Sequence, residues 1–195
     1  METLADDLHD LVTQLKLGPF TLAGLSMGGY VALAYVARYL PTLRSLILVD
    51  TKSQADNAEG KAGRDKMIAL VREQGVKAIA DAMLPKLLPD ETIKSRPQLV
   101  KEIRGIIESQ RATTLAHALA AMRDRPDRTG ELASIAVPTL AVVGEKDSIT
   151  PPDVMKTFKE KIARCELVTI PAAGHMTPME QPAQVNQAIT RFLHS

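Results

Sequence analysis

Apolar residues recur along this chain with two different periods, and the switches between them divide it into elements. Leu4, Leu8, Leu11, Val12 and Leu15 fall three or four apart, which predicts an amphipathic helix stopped by Gly18-Pro19. A short strand-like run follows over 20–23, then the largely apolar helical run Tyr30-Val31-Ala32-Leu33-Ala34-Tyr35-Val36, then a buried-strand run over 45–49 ending at Asp50. From Lys52 to about Arg128 no strand pattern occurs. Helical stripes take its place, at Met67-Leu70-Val71, Val76-Ile79-Ala80-Met83, Leu99-Ile103-Ile106-Ile107 and Leu115-Leu119-Met122, punctuated by Gly75, Pro85, Pro89, Pro97 and Pro126. Two further strand runs, over 138–143 and 166–170, alternate with helical stripes at Val154, Phe158, Ile162 and at Val185, Ile189, Phe192.

Strands that alternate with helices predict an α/β fold, here a parallel four-stranded sheet with helices on both faces and the strands adjacent in chain order. The strandless stretch then reads as a helical cap insertion over 52–130, set into a core made of 1–51 and 131–195. Its methionines and aliphatics are expected to form the insertion's own core. Lys61, Arg64, Lys66, Arg72 and Glu73 are expected to lie on a solvated helix face.

Composition narrows the functions open to such a fold. A net charge of +1 gives no electrostatic bias toward nucleic acid or a membrane surface, and an aromatic content of 3% leaves little for base stacking. The start Met1-Glu2-Thr3-Leu4-Ala5-Asp6-Asp7 is acidic and has no hydrophobic signal-peptide region. The one cysteine, Cys165, forms no internal disulfide and is expected to be a small buried apolar residue; a reducing cytoplasm is the expected compartment. No zinc-type Cys/His spacing and no phosphate-cradling glycine loop occurs, so neither a metal nor a cofactor is expected.

Chemistry enters at Gly24-Leu25-Ser26-Met27-Gly28, which joins the strand run over 20–23 to the next helix. A serine on a tight strand-to-helix turn stands clear of the sheet, and glycines two residues before and after it let strand and helix approach. Gly24 and Gly28 are the residues expected to meet that need. The N–H of Met27 falls at the helix start, where it can face a developing oxyanion.

Such an elbow implies the chain order serine, acid, histidine. The strand over 138–143 runs into Gly144-Glu145-Lys146-Asp147, and that over 166–170 runs into Pro171-Ala172-Ala173-Gly174-His175. Both polar residues therefore fall at carboxyl ends of strands, the edge on which open parallel sheets build sites. His175 is expected to accept the proton of Ser26, and Asp147 to orient the imidazole. Glu145 and Asp50 compete for the acid's role, with Asp50 the runner-up. His9, His117 and His194 read as structural or solvated.

These motifs resemble the α/β-hydrolase superfamily, in its branch of small esterases and enol-lactonases. The resemblance rests on Gly24 to Tyr30, Leu48-Val49-Asp50-Thr51, the run from Val137 to Asp147, and Pro171 to His175. It implies a cofactor-free serine hydrolase of small esters or lactones, with a cap over the site and Ser26, Asp147 and His175 as triad. Perhydrolysis or carbon–carbon cleavage would use the same three residues.

Family members also carry an amino-terminal block of strands, with a loop that gives a second oxyanion donor. Such a block takes roughly 60 to 80 residues, and the chain resembles the carboxyl-terminal two-thirds of a member. Two expectations follow: reduced turnover, and a homodimer or higher assembly formed through the exposed edge of the elbow strand. The alternative is a weakly active or inactive hydrolase remnant that serves as a folded scaffold.

Overall fold

A computed structural model describes all residues, 1–195. They form two compact units: residues 1–54 together with 127–195, and residues 55–126.

In the first unit the strands are β1 (Phe20–Leu25), β2 (Leu43–Val49), β3 (Thr139–Gly144) and β4 (Cys165–Ile170). They pair in the order β1-β2-β3-β4, every pair parallel, as the alternation predicts. The interior strands are buried throughout, apart from Arg44, because both faces of a parallel sheet are covered. Ile47, Val49, Leu140 and Val142 form one core with Val185 and Phe192 of a carboxyl-terminal helix. Leu46, Leu48, Ala141 and Val143 project from the opposite face and are equally buried.

The helices of this unit are α1 (Glu2–Gln14) and α2 (Met27–Tyr39), followed after the second unit by α7 (Pro152–Lys161), α8 (Thr177–Glu180) and α9 (Pro182–Leu193). Helix α1 stops before the Gly18-Pro19 breaker. The N–H of Lys16 donates to Thr13 and that of Leu17 to Val12, with Lys16 in left-handed backbone at φ 51°. This C-cap satisfies the last carbonyls without a glycine, so the expected glycine signal placed the end too late. The helix buries Ala5 and Val12, while Leu4, Leu11 and Leu15 of the expected apolar face are exposed, as is Leu17 just beyond.

The second unit is wholly helical: α3 (Ala58–Leu87), α4 (Asp90–Ser95), α5 (Pro97–Glu108) and α6 (Ala112–Arg123). Asn57 caps α3 by accepting the Gly60 N–H at 2.8 Å. Gly75 breaks the direction of α3 with φ 79° and ψ −174°, a conformation open essentially to glycine alone. Ile68, Val71, Ile79, Ala116 and Leu119 make this unit's core. Near its two chain ends, the buried Arg125 guanidinium holds the buried Asp56 carboxylate at 2.9 Å, and Arg64 adds a second contact at 3.1 Å. No helix of the chain is long and apolar enough to cross a membrane.

Candidate active site

The carboxyl ends of the strands hold most of the strained backbone in the molecule. Of the four non-glycine residues with positive φ, three follow strands directly or nearly so: Ser26 after β1, Asp50 after β2 and Ala172 after β4. Such strain persists where surrounding structure over-determines the backbone, and it concentrates at functional sites.

Ser26, with φ 51° and ψ −112°, sits at the apex between β1 and α2. Gly24 is required there: a Cβ at that position would lie 2.4 Å from the carbonyl oxygen of Gly28. The partner glycine differs from the expectation. Nothing lies within 4 Å of a Cβ placed on Gly28, whereas one on Gly29 would come within 2.4 Å of the Thr51 hydroxyl. The close approach is therefore of α2 to the end of β2, and Gly29 is the residue that permits it. Met27 opens α2, and its N–H belongs to the first turn, whose amides have no acceptor within the helix.

The three expected site residues meet. The Nε2 of His175 lies 2.8 Å from the Oγ of Ser26, and its Nδ1 lies 2.8 Å from Oδ2 of Asp147. Asp147 and His175 are almost entirely buried, while Ser26 is half-buried. Asp147 is held from its other side as well. Its Oδ1 accepts the N–H groups of Ile149 at 2.8 Å and Thr150 at 3.0 Å, and its Oδ2 accepts the Thr150 hydroxyl at 2.6 Å. Burial acts to raise its pKa. The bond to His175, the charge of that ring and the Thr150 donors outweigh burial and hold the carboxyl below its ordinary value.

The competing acids do other things. Glu145 turns to the surface side of its loop and accepts the Ala172 N–H at 3.1 Å. Asp50 is fully buried and accepts the N–H of Gly144 at 2.9 Å and of Thr177 at 3.3 Å. Burial pushes its carboxyl up to about 7, against the opposing effect of those two bonds and of His175.

Several contributors lacked a sequence assignment. Thr51 donates its hydroxyl to the Ser26 carbonyl at 2.8 Å, and its own N–H meets the Met155 sulfur at 3.4 Å. Glu180, also buried, accepts the Gly174 N–H at 2.8 Å beside His175. Gly144 passes so near the histidine loop that a Cβ on it would fall 2.0 Å from the Gly174 oxygen. The Asp-x-x-Thr spacing from Asp147 to Thr150 is a local signal that could have revealed that partner. Nothing local marks Glu180.

The remaining candidates lie apart from this chemistry. His9 stacks on Tyr39 with ring centroids 3.8 Å apart, and His194 bonds the Thr190 carbonyl at 2.7 Å. Cys165 is buried at the start of β4, where burial pushes its thiol up to about 11, far from thiolate chemistry at neutral pH. Two concavities, of about 350 Å³ beside Leu33 and Ile135 and about 770 Å³ between β4 and α9, include none of Ser26, Asp147 and His175 in their walls.

The model of the Ndr family matches residues 1–195. An AB hydrolase superfamily protein of Bacillus subtilis, YisY, is 32% identical over all of this chain and 74% of its own length. The chain belongs to the Ndr family, within the α/β-hydrolase superfamily. This Ndr-family chain is also similar to 3-oxoadipate enol-lactonase 2 of Acinetobacter baylyi, at 24% identity over 97% of the chain and 69% of the relative. Among solved structures, a thermophilic esterase from Thermogutta terrifontis superposes with a TM-score of 0.95 at 41% identity, covering 99% of this chain and 71% of the esterase. An enol-lactonase from Burkholderia xenovorans superposes at 0.89 and 25% identity, over 100% of this chain and 73% of its own. Hydrolysis is the activity these similarities support for the family member described here.

Proposed function

We propose that this chain is a serine hydrolase of small carboxylic esters or lactones that works through an acyl-enzyme. The support for this reading is the unbroken hydrogen-bond line Ser26, His175, Asp147, with 2.8 Å at each step, at the carboxyl edge of a parallel sheet. The similarity to a thermophilic esterase and to enol-lactonases favours the same substrate class.

In this mechanism the Ser26 Oγ attacks the ester carbonyl carbon while Nε2 of His175 takes its proton. The carbonyl oxygen becomes an oxyanion, which the Met27 N–H stabilises. Collapse of the tetrahedral adduct breaks the bond to the leaving oxygen, and His175 returns the proton to it. Water then repeats the sequence on the acyl-Ser26 ester, giving the free acid and restoring the serine. Throughout, the ionised Asp147 keeps the Nδ1–H of His175 directed at itself and offsets the charge of the imidazolium. No step calls for a metal or a cofactor. The proposal extends to a small-molecule substrate, no nucleic-acid or membrane partner, a cytoplasmic setting, and a homodimer or higher assembly formed through β1.

An active-site-directed fluorophosphonate tests the reading directly. We expect stoichiometric labelling of Ser26, hydrolysis of short-chain p-nitrophenyl esters, and loss of both in Ser26→Ala. Ester turnover that survives Ser26→Ala would overturn it.

A further inference from the structure

The residues Ser26, Asp147 and His175 come from three separate turns, and a single dipeptide at the end of β2 bonds Ser26 itself, the last residue of β3 before the acid turn and the first residue of α8 after the histidine turn. The Thr51 hydroxyl donates to the Ser26 carbonyl at 2.8 Å. One oxygen of Asp50 accepts the N–H of Gly144, three residues before Asp147, at 2.9 Å. Its other oxygen accepts the N–H of Thr177, two residues after His175, at 3.3 Å. Left-handed backbone at Asp50, φ 44°, lies between the two side chains and turns the chain at this point. Both residues are fully buried.

We propose that Asp50 and Thr51 are positioning residues that set the mutual register of the elbow, the acid turn and the histidine loop. This rests on the hydrolase reading above. The chemistry of the side chains fits the task. Above about pH 7, where Asp50 is ionised, its carboxylate offers only acceptors and can satisfy the Gly144 and Thr177 N–H groups at once, which a neutral amide of the same shape cannot. In Asn the second position is an NH2 group facing another donor. The titratable groups that face Asp50 are His175 and Asp147, whose charges act on it in opposite senses. Asp147 already occupies Nδ1 of His175 at 2.8 Å, so Asp50 acts through backbone and not as the acid of the relay.

Displacing reacting groups by about 1 Å costs on the order of a hundredfold in rate. The variants are Asp50→Asn and Thr51→Val, the second removing only the hydroxyl at nearly constant volume. With kcat counted per fluorophosphonate-titrated site, we expect each to fall ~10- to 100-fold while KM stays within about twofold, since neither side chain is exposed to substrate. A merely structural role would lower the number of titratable sites and leave kcat per site unchanged.

The second readout needs no turnover. The low-field proton resonance of His175 Nδ1–H, assigned by its loss in His175→Gln, should shift or broaden in Asp50→Asn. If Ser26→Ala keeps its activity, the hydrolase reading fails and this resonance alone decides the positioning role. If Asp50→Asn does not fold, Thr51→Val carries the test. An unmoved resonance in folded Asp50→Asn, or a per-site kcat within about twofold of the parent in either folded variant, overturns the proposal.

Discussion

Asp50 and Asp147 are two buried carboxyls in one site whose proton affinities have been driven in opposite directions, so they leave opposite marks on stability. Burial raises Asp50 to about 7, so between about pH 4 and 7 the native state holds a proton that the unfolded state has released. Stability contributed by that proton is present below the unfolded pKa and is lost as pH rises to 7. Asp147 lies below its ordinary value because its bonds to His175 and Thr150 outweigh burial. Its contribution is present above about pH 4 and is lost as pH falls through the folded pKa. In urea unfolding against pH, we expect Asp50→Asn to gain on the parent steadily from pH 4 to 7. Asp147→Asn should lose most at pH 7 and recover toward the parent below pH 4. Parallel curves for Asp50→Asn and the parent would show that Asp50 does not hold that proton. The meeting of Ser26, Asp147 and His175 was legible in the sequence because each sits in a local pattern, a turn or a strand end. The work of Asp50 was not, because its partners Gly144 and Thr177 stand 94 and 127 residues away in the chain.

The elbow shows how far a local pattern reaches at the level of elements. Strand, turn and helix were all legible, since apolar runs of the right length flank a glycine-rich pentapeptide. Which glycines matter was not, because one of the contacts is with β2. Backbone meets backbone at Gly24, 2.4 Å from its would-be Cβ to the Gly28 oxygen, and no side chain there can move aside. At Gly29 the obstacle is the Thr51 side chain, at 2.4 to 2.6 Å, which is itself packed and hydrogen-bonded. Gly28 faces open space within a helix. We therefore expect Gly24→Ala to abolish Ser26 labelling and Gly29→Ala to reduce it strongly. Gly28→Ala should keep labelling and raise stability by about 0.5 to 1 kcal/mol, the helix preference of alanine over glycine. Melting curves alongside probe labelling check the order. Loss of labelling in Gly28→Ala equal to that in Gly24→Ala would refute the assignment of the close contacts.

Across the whole molecule, a chain of these 195 residues has two open sheet edges, and their chemistry differs. Beside β4 the edge carries the ion pair between Arg191 and Glu166, both exposed, a device that discourages another strand from adding. Along β1 the sequence Phe-Thr-Leu-Ala-Gly-Leu has no charge at all, and Ala23 is exposed in mid-strand. The same unit exposes Leu11, Leu15 and Leu17 on and just after α1, at 52%, 60% and 53%. We propose that a second copy of the chain covers this uncharged edge, most simply by antiparallel pairing of β1 with β1 about a two-fold axis. We expect sedimentation at micromolar concentration to give a dimer. The variant Ala23→Lys, which puts a charge at the exposed position of β1, should shift it to monomer without lowering its melting temperature by more than the loss of association explains. A parent protein that sediments as a monomer across the micromolar range would mean that β1 keeps a free edge in solution, and the homodimer would have to be abandoned.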